Sequence, residues 1–527
     1  MNRPKVLKFF CIALLVLGII FRFTNLGLKF YWDDEVRTSM RISGYTIKQL
    51  ETELYTDRTI FAKSLEKYQF PAPESNLKEA IAAFTEHPEH PPLYYLTARF
   101  WTQFWMQWFD DSVAVTRSLS ALFSLLALPC VYWFAWELFE SVSVAWMSVA
   151  IVAISPLHVL YAYEARQYSV WTVAIFLSSA ALLRSIRWTR EGKFRANFAW
   201  LFYSFSLILG LYSHLLFATV VIAHGIYIAV LEKLKVSKIT VAYGLSLLSG
   251  FVFFSPWIWV AIAKPDRTEK AIAEAQTNPE LSYLVNRWFR NLSRVFLDGD
   301  LGGANILFVL LTIYAIYIIW RQTPPRIWLL PIALIGTHTL AMVVPDLAFG
   351  GTRSGGLRYL FPVYIGVQFV FAYCFTTSLL EFKTRSHKFW SAIALIILSI
   401  GTITSAIESQ KEITWSKSDD KAKYYIPAAQ AINDRPNSIV LSDAPPVEIL
   451  ILSYRLDPQV RLLLSSQSEL PQIPPGFSPI LIFNPSEPWK QAIAQNPNLQ
   501  LTVLVQHRQE PDRPLKLFEL IDVGKQQ

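Results

Sequence analysis

The chain has 527 residues, of which 53% are apolar and only 17% are Asp, Glu, Lys or Arg, whereas an ordinary soluble domain carries about 25% charged residues. This balance excludes a typical water-soluble globular protein and favours a membrane protein. The formal net charge of +8 would also suit a nucleic-acid-binding protein. However, the Lys and Arg residues cluster between apolar runs, as they do in cytoplasmic loops of membrane proteins, so we expect no nucleic-acid partner.

Eleven apolar runs are long enough, or nearly so, to cross a bilayer, which takes about 20 helical residues. They fall near residues 6–24, 113–138, 143–162, 166–186, 197–212, 215–231, 239–262, 303–320, 326–344, 357–380 and 389–407. The stretch 197–231 is too long for one span and carries Tyr212-Ser213-His214 at its middle, so we divide it into a hairpin of two short helices. The sequence thus predicts an α-helical polytopic membrane protein with about 11 spans.

Compact clusters of Lys and Arg indicate how these spans are oriented across the membrane. Lys5 and Lys8 place the amino terminus in the cytoplasm, and alternation then puts every later compact basic loop on the same side, as the positive-inside rule expects. The run 92–108 would invert this pattern if it crossed the bilayer. Because it carries three tryptophans at helical spacing, we predict an amphipathic helix in the outer interface. We expect a protein of a bacterial plasma (inner) membrane with a retained amino-terminal anchor.

Two outer loops are long. Residues 25–91 form the first, with a helix expected at Asn76–Thr85 and capped by Ser75. Residues 263–300 form another, rich in charge and partly helical. Together with the spans and the interfacial helix, these loops make up a transmembrane domain over residues 1–407.

The tail, residues 408–527, is polar and has proline-bounded runs of β-forming residues, such as Ser438–Ser442 and Pro479–Phe483. A segment of this length can fold as a unit of its own. We therefore predict a small extracytoplasmic α/β domain over residues 408–527.

Three carboxylates directly follow the first span, in Trp32-Asp33-Asp34-Glu35. Such crowding beside a membrane is costly unless a cation or a substrate hydroxyl joins the group; alone, it would fit a solvated flank of the loop. Glu89 begins a second acidic motif at the far end of the same loop, where two prolines fix the chain direction. We expect the loop to fold back and set Glu89 near Asp34, as a pair that holds a divalent metal ion or acts as base and orienting group.

Three arginines at the outer ends of spans are candidates for binding a phosphate, since one guanidinium can donate two hydrogen bonds at once to phosphate oxygens. They are Arg166, Arg353 and Arg358. Arg358 would otherwise reach towards the interface as a snorkelling side chain. The glycines around Arg353 either let the backbone approach a phosphate or form a hinge, but they do not make a nucleotide-binding loop.

Three further outer residues have simpler explanations beside a functional one. Glu164 and Arg166 form an ion pair between two spans or serve the donor phosphate. Tyr168 is a polar lid or an interface aromatic residue. His214, at the apex of the hairpin, is a ligand or a hydrogen-bonded turn residue.

Three motifs taken together resemble the protein O-mannosyltransferase-like branch of the GT-C glycosyltransferases, a group to which the lipid A aminoarabinose transferases also belong. They are Trp-x-Asp-Glu at 32–35, Glu-His-Pro-Pro-Leu-Tyr-Tyr at 89–95 and Tyr-Glu-Ala-Arg-Gln-Tyr at 163–168. The resemblance covers about residues 6–380. It implies a GT-C fold and the transfer of a sugar, with inversion, from a polyprenyl-phosphate carrier to an acceptor on the outer face.

The resemblance also implies roles for single residues. Asp34 matches the first-loop aspartate proposed as catalytic base, with Glu35 as its neighbour in the motif. Glu89 matches an acidic position that helps relatives hold a divalent cation. His90 departs from the aminoarabinose transferases, which have lysine there, and agrees with the His-Pro-Pro form of other branches. Arg358, before Tyr359 and a proline, is similar to an arginine that approaches the carrier phosphate.

The sequence therefore predicts a membrane hexosyl- or pentosyltransferase with Asp34 as base. We expect His90, Arg166, Arg353 and Arg358 at the donor phosphate, a Mg²⁺ or Mn²⁺ ion at Asp34 and Glu89, and no nucleotide, haem or flavin. The acceptor is a lipid, a glycan or a protein. The active site and the tail domain are expected on the extracytoplasmic side.

Two other classes of protein remain alternatives. A transporter or lipid flippase would carry charged or broken helices at mid-membrane and often an internal repeat, whereas these spans are mostly clean and no repeat is visible. A receptor-like scaffold would use the tail as its binding module, and the paired acidic motifs argue against it.

Overall fold

The computed structural model describes residues 3–72, 75–264, 279–414, 419–507 and 515–522. The chain forms two compact units. The helical unit comprises Met1–Leu26, His87–Tyr94 and Arg117–Gln410, and the sheet unit comprises Gly27–Glu86, Tyr95–Thr116 and Lys411–Gln527.

The described α-helices and strands follow each other along the chain. The helices are α1 (Arg3–Phe23), α2 (Asp33–Ile42), α3 (Ile47–Leu54), α4 (Leu77–Thr85), α5 (Leu93–Trp105), α6 (Ser112–Phe139), α7 (Val142–Ile154), α8 (Pro156–Ala162), α9 (Tyr168–Arg190), α10 (Ala196–Ser213), α11 (Phe217–Leu231), α12 (Lys238–Ile262), α13 (Leu281–Leu297), α14 (Ile306–Gln322), α15 (Pro325–Phe349), α16 (Phe361–Glu381), α17 (Arg385–Gln410), α18 (Asp419–Asn433), α19 (Pro446–Ser453) and α20 (Glu487–Gln495). The strands are β1 (Thr59–Phe61), β2 (Ile439–Ser442), β3 (Arg461–Leu464), β4 (Ile480–Phe483), β5 (Leu499–His507) and β6 (Leu515–Asp522).

By length and composition, nine of the described helices can cross a membrane, and α7 and α8, bent by 56° at their junction, make a tenth span if they count as one. The apolar helix α11 has 15 residues and is about 22 Å long at the usual helical rise. These eleven helical segments correspond to the eleven apolar runs, and α10 and α11 confirm the hairpin predicted within 197–231. The prediction of a polytopic helical protein is confirmed, and the chain is an integral membrane protein.

The break between α7 and α8 has a local cause. Ser155 takes an extended conformation, with φ −66° and ψ 123°, and Pro156 occupies the first turn of α8. A proline disfavours helical backbone at the residue before it and is well tolerated at a helix start. As a result, α8 is short, and the chain turns over Tyr163–Gln167 into α9.

The predicted basic loops meet at one end of the helices. Arg187 of α9 lies 2.9 Å from the buried carboxylate of Glu137 in α6, and Arg184 pairs with the same carboxylate. Arg190 of α9 pairs with Glu232 after α11 at 2.8 Å. The turns between helices that carry the candidate site residues lie at the opposite helix ends, as the alternation of spans requires.

The sheet has six strands in the order β1-β3-β2-β4-β6-β5. Strand β2 runs parallel to its neighbours β3 and β4, whereas β1 and β6 pair antiparallel with β3 and β4. One face buries Ile439, Leu441 and Ile482 against Trp489 of α20. The strands predicted at 438–442 and 479–483 are confirmed as β2 and β4, so the small α/β arrangement is present.

The sheet also contains a strand that we did not predict. Residues 59–61 of the first long loop form β1, which pairs with β3 from Thr59–Leu463 to Phe61–Arg461. The sheet unit is therefore built from both the loop and the tail.

Two local predictions met different outcomes. The cap predicted for α4 was wrong by one residue: Asn76 accepts a hydrogen bond from the Lys78 amide at 2.8 Å, while the Ser75 hydroxyl donates to the Ala72 carbonyl. The helix predicted within 92–108 is confirmed as α5, and its position at a membrane surface stays a prediction.

Candidate active site

The acidic motif of the first loop forms the first turn of α2 and belongs to the sheet unit. Asp33, Asp34 and Glu35 follow Trp32, whose extended backbone, with φ −104° and ψ 173°, begins the helix. The free N–H groups of a helix start stabilise negative charge. The motif is therefore a helix start, not the loop flank that we considered as the simpler explanation.

The three carboxylates have different surroundings. Asp33 pairs with Lys421 of α18 at 2.5 Å, and Glu35 is buried. Asp34 is partly exposed. Asp33 shares this partial exposure, so both aspartates, unlike Glu35, are open to an incoming hydroxyl.

The second acidic motif is a tight turn in the helical unit. The His90 amide donates to the His87 carbonyl at 3.0 Å, and the His87 ring nitrogen Nδ1 lies 3.0 Å from Glu89 Oε1. The indole N–H of Trp257 in α12 donates to the Pro88 carbonyl at 3.0 Å. Glu89 thus lies on a turn that a hydrogen bond joins to the membrane helix α12.

His90 lies between two side chains of the α8–α9 turn. Its Nε2 is 3.3 Å from Arg166 Nη2, and its Nδ1 is 3.4 Å from the Gln167 amide. A guanidinium can only donate, so His90 Nε2 accepts from Arg166.

The aromatic residues at the start of α9 enclose the same region. The rings of Tyr168 and Tyr161 are 5.0 Å apart, and Tyr168 stacks on Phe361 at 6.2 Å. Both tyrosines are buried. Tyr168 is therefore a packed aromatic residue of the helical unit, and its role as a lid stays a prediction.

His214 ends α10 and lies in the turn before α11. Its Nδ1 accepts from the Leu216 amide at 3.1 Å, so that Nε2 carries the proton. Its ring stacks on Trp171 at 4.2 Å. Burial, followed by the nearby His338 and the charges of Arg166 and Arg358, lowers the pKa of His214 to about 3. His214 is thus a neutral hydrogen-bond donor at physiological pH.

Arg358 sits in a short 3-10 turn before α16. Its Nη2 donates to the Tyr359 hydroxyl at 2.7 Å, and its guanidinium lies 4.8 Å from the centre of the Tyr359 ring. The Tyr359 carbonyl accepts a hydrogen bond from His338 Nε2 of α15 at 2.5 Å. These contacts fix the Arg358 guanidinium in the helical unit, where its charge contributes to lowering the pKa of His214.

The glycine-rich stretch before Arg358 is anchored. The Ser354 amide donates to Asp346 Oδ2 at 2.6 Å, and Asn291 of α13 donates to the Gly355 carbonyl at 2.9 Å. Gly350, with φ 79°, takes a backbone conformation that suits glycine. These anchors argue against the hinge, while Arg353 itself is exposed.

A row of arginines on α13 was missed by the sequence analysis. Arg287, Arg290 and Arg294 are spaced to share one face of the helix. Burial, and next the neighbouring arginine charges, lower the pKa of Arg290, and of Arg294 to about 10. The spacing was visible in residues 263–300, which we had described only as a charged, partly helical loop.

The helical unit therefore brings together His90, Arg166, His214 and Arg358, with Arg353 on the same stretch as Arg358. Asp34 and Glu35 belong to the sheet unit and Glu89 to the helical unit. Among the residues that the structure describes, no group of three or more His, Cys, Asp or Glu side chains is arranged to hold a metal ion.

An apolar groove runs between α10, α11 and α12. Its volume is about 490 Å³, and one face of α11, from Ala218 through Gly225 to Ala229, forms its floor. Small residues at these positions, together with Gly250 of α12, leave the space open. Ala218, at the start of α11, follows His214 by four residues in the chain.

No protein-family model and no curated protein sequence matches the chain. Among solved structures, ArnT from Cupriavidus metallidurans bound to undecaprenyl phosphate is similar, with a TM-score of 0.53 at 11% identity over 97% of both chains. The oligosaccharyltransferase AglB from Archaeoglobus fulgidus, in complex with an inhibitory peptide and a dolichol-phosphate, gives a TM-score of 0.45 at 13% identity, over 87% of this chain and 64% of that chain. The likeness to ArnT shows that the chain has the GT-C fold, as the sequence motifs implied.

Proposed function

We propose, starting from the fold that this chain shares with ArnT, that it is a membrane glycosyltransferase. The donor is a sugar linked to a polyprenyl phosphate, and the acceptor is a lipid, a glycan or a protein. ArnT was crystallised bound to undecaprenyl phosphate, a carrier lipid of this class. The proposal places the reaction on the outer face of a bacterial plasma membrane.

One observation carries the proposal. Arg166 and Arg358 both contribute to lowering the pKa of His214, and Ala218, which lines the apolar groove, follows His214 by four residues in the chain. A polyprenyl phosphate has an anionic head joined directly to an apolar chain. The arginines and the apolar groove of the helical unit match these two parts in kind.

The leaving phosphate gains charge during the transfer. As the sugar–oxygen bond breaks, its electron pair stays on the phosphate oxygen, and the carrier leaves as a phosphate monoester. Arg166 and Arg358 would stabilise that charge through charge-assisted hydrogen bonds, which are usually a large catalytic contribution. His214, neutral at physiological pH, adds a donor without adding charge. His90 lies beside Arg166, and Arg353 stands at the exposed edge of the stretch that carries Arg358.

Asp34 would act as the base. It takes the proton of an acceptor hydroxyl, and the oxygen forms a bond to the anomeric carbon on the face opposite the phosphate. This displacement inverts the anomeric configuration. Glu35, buried beside it, would hold the first turn of α2 in place, since a base depends first on its geometry with the proton that it removes.

Whether Asp34 and Glu89 bind a divalent metal ion needs its own test. An ion site built from protein oxygens alone needs several ligands, and the described residues show no group of three or more candidate side chains. Loss of activity with EDTA, its return with Mg²⁺ or Mn²⁺, and a Glu89→Gln variant that no longer responds would assign an ion to Asp34 and Glu89.

The test is sugar transfer by the purified chain in detergent, where no compartments exist and a transporter would show no reaction. The donors are undecaprenyl-phosphate sugars, chosen by mass spectrometry of glycans and lipids from cells with and without the chain. Asp34→Asn should abolish transfer while leaving donor binding intact, and Asp33→Asn is the matched control. If Asp34→Asn transferred sugar at the wild-type rate, Asp34 would not be the catalytic base.

The proposal also requires positions 34 and 358 to face the same aqueous phase. Single cysteines at these positions, labelled in sealed membrane vesicles with an impermeant maleimide, should react from the same side. Labelling from opposite sides would overturn the proposal as a whole.

A further inference from the structure

The sheet unit contains a polar cavity at the carboxyl ends of its parallel strands. Asp443 follows β2 directly, and Ser466 lies just beyond β3. From β2 the chain passes through α19 to β3 on one side, and from β3 it continues to β4 on the other side of β2. In open α/β sheets, ligands bind outside the carboxyl ends of the strands where the connections change direction in this way.

The cavity has the size of a small-molecule site. Its volume is about 580 Å³, within the range of about 300–1,000 Å³ typical of ligand pockets. The first loop forms one wall through Glu51, Thr52 and Tyr55 of the α3 region, and the tail forms the other through Asp443, Pro445 and Ser466. Both walls belong to the sheet unit.

Hydrogen bonds join the two walls of the cavity to each other and to the sheet. The Tyr55 hydroxyl donates to the Ala444 carbonyl, which joins the loop to the segment after β2. Asp443 Oδ1 accepts from the Ser486 amide at 2.9 Å, and α3 begins with a reciprocal cap between Thr46 and Gln49. The cavity is therefore preformed, which lowers the entropic cost of binding a ligand.

The charges around the cavity are negative. Burial, followed by the charges of Glu448, Asp443 and Glu51, raises the pKa of the Tyr55 hydroxyl. None of the described lining residues is Lys or Arg. An anionic ligand would be repelled, while a ligand that donates hydrogen bonds to carboxylates would be favoured.

The mixture of groups points to a polyhydroxylated ligand. Carboxylates accept from sugar hydroxyls, as the acidic residue at a strand end does with ribose in dinucleotide-binding folds. The Thr52 hydroxyl donates to the Lys48 carbonyl at 3.0 Å and keeps its oxygen as an acceptor, while the Ser466 hydroxyl can donate and accept. This mixture matches a sugar better than an ammonium group, since the ammonium group only donates. Pro445 adds an apolar surface for the C–H face of a ring.

We propose that this pocket binds a sugar residue, uncharged or amino-substituted, through Asp443 and Glu51, and discriminates against anionic sugars. The pocket is a binding site in its own right and needs no transfer reaction. It gives the sheet unit a function in holding a glycan, whatever the reaction carried out by the chain.

The experiment is saturation-transfer NMR on the full-length chain in detergent, with glucose, glucosamine and glucuronate as probes. Glucose and glucosamine should give signals and glucuronate should give little. Asp443→Asn keeps an oxygen for the Ser486 amide, and Glu51→Gln changes an exposed helix position, so both variants should fold. Each should weaken sugar binding about tenfold, the effect of losing one charge-assisted hydrogen bond.

Two control variants separate this site from the rest of the chain. Asp457→Asn removes an exposed carboxylate of the same unit outside the cavity and should bind like the wild type. Asp34→Asn should also bind sugar like the wild type, even where it abolishes transfer. Sugar binding by the cavity can therefore be judged even if the proposed transferase activity is not found.

Several results would overturn the proposal. They are the absence of any sugar signal from the wild type, unchanged signals in both Asp443→Asn and Glu51→Gln, and glucuronate signals as strong as those of glucosamine. Binding of a trilysine peptide without binding of either neutral or amino sugar would assign the cavity to a cationic peptide instead.

Discussion

Lys421 Nζ lies 2.5 Å from Asp33 Oδ2 and ties α2 to a helix 388 residues further along the chain. The pair gives Asp33 a structural partner, although Asp34 stands next to it in the sequence. Both partners are only about a quarter exposed. Asp33 is thus expected to act in the fold through this ion pair.

The first prediction concerns this ion pair. Asp33→Asn should lower stability by about 1 kcal/mol, as for a partly exposed pair, and should leave most of the transfer activity. The exchanged variant D33K/K421D should recover part of the loss. Thermal unfolding in detergent at low and high salt measures both. Abolished transfer in Asp33→Asn, with an intact fold, would contradict the separation of roles.

The second prediction is a pH dependence from His214. Its pKa lies near 3 in the folded chain, against an ordinary value of 6.5, so the unfolded chain binds the extra proton first as the pH falls. The stability that depends on a neutral His214 is complete above about pH 6.5 and is lost progressively towards pH 3. The melting temperature of the wild type should therefore fall more steeply between pH 7 and 4 than that of His214→Gln.

Glutamine preserves a neutral donor and acceptor at this position, so His214→Gln should stay folded at pH 7. Parallel pH profiles of the two proteins would show that His214 does not titrate in this range. The difference between the profiles is the measurement, because carboxylates shared by both proteins cancel.

The third prediction concerns the basic ends of the helices. Glu137 is buried and binds Arg184 and Arg187, so Glu137→Gln should cost about 2–3 kcal/mol, because it leaves two charges without their counter-charge. Glu140→Gln is the matched control. This exposed carboxylate pairs loosely with Arg326 at 3.6 Å and with Arg187 at 3.8 Å, and its loss should cost at most about 1 kcal/mol. Equal shifts of the melting temperature would be inconsistent with a buried ionic cluster.

The fourth prediction tests the apolar groove. A Cβ at Gly250 would meet only Leu207 and Leu211 at ordinary distances of 3.6–4.0 Å, whereas at Gly244 of the same helix it would meet nothing within 4 Å. Gly250→Leu should therefore fill the groove without disturbing the backbone and lower kcat/KM for a long-chain donor about tenfold. Gly244→Leu, and Gly250→Leu with a donor of farnesyl length, should be little affected. A uniform loss for both chain lengths would place the lipid tail elsewhere.

The membrane helices could be predicted from the sequence because each apolar run must form its own hydrogen bonds in lipid. The split within 197–231 followed from Tyr212-Ser213-His214, and α10 ends at Ser213. The paired strands β2 and β4 were visible as short β-forming runs between prolines. These signals are local, which is why they could be read from a single sequence.

The contacts between distant segments could not be predicted in this way. Nothing around Thr59–Phe61 marks a strand, because three residues carry no periodic pattern, and the partner strand supplies the hydrogen bonds. The stacking of His214 on Trp171 depends equally on tertiary packing. The arginine row of α13 was readable from its spacing, but its burial was not.

The pairing of β1 with β3 also has a consequence for biosynthesis. Paired positions such as Phe61 and Arg461 are 400 residues apart, so the early segment leaves the ribosome long before its partner exists. Until the last part of the polypeptide has been made, β1 has no partner strand, and α3 has no tail segment to form the cavity with. Nascent chains halted before residue 461 should therefore be cleaved by proteases within residues 27–86, and completed chains should resist.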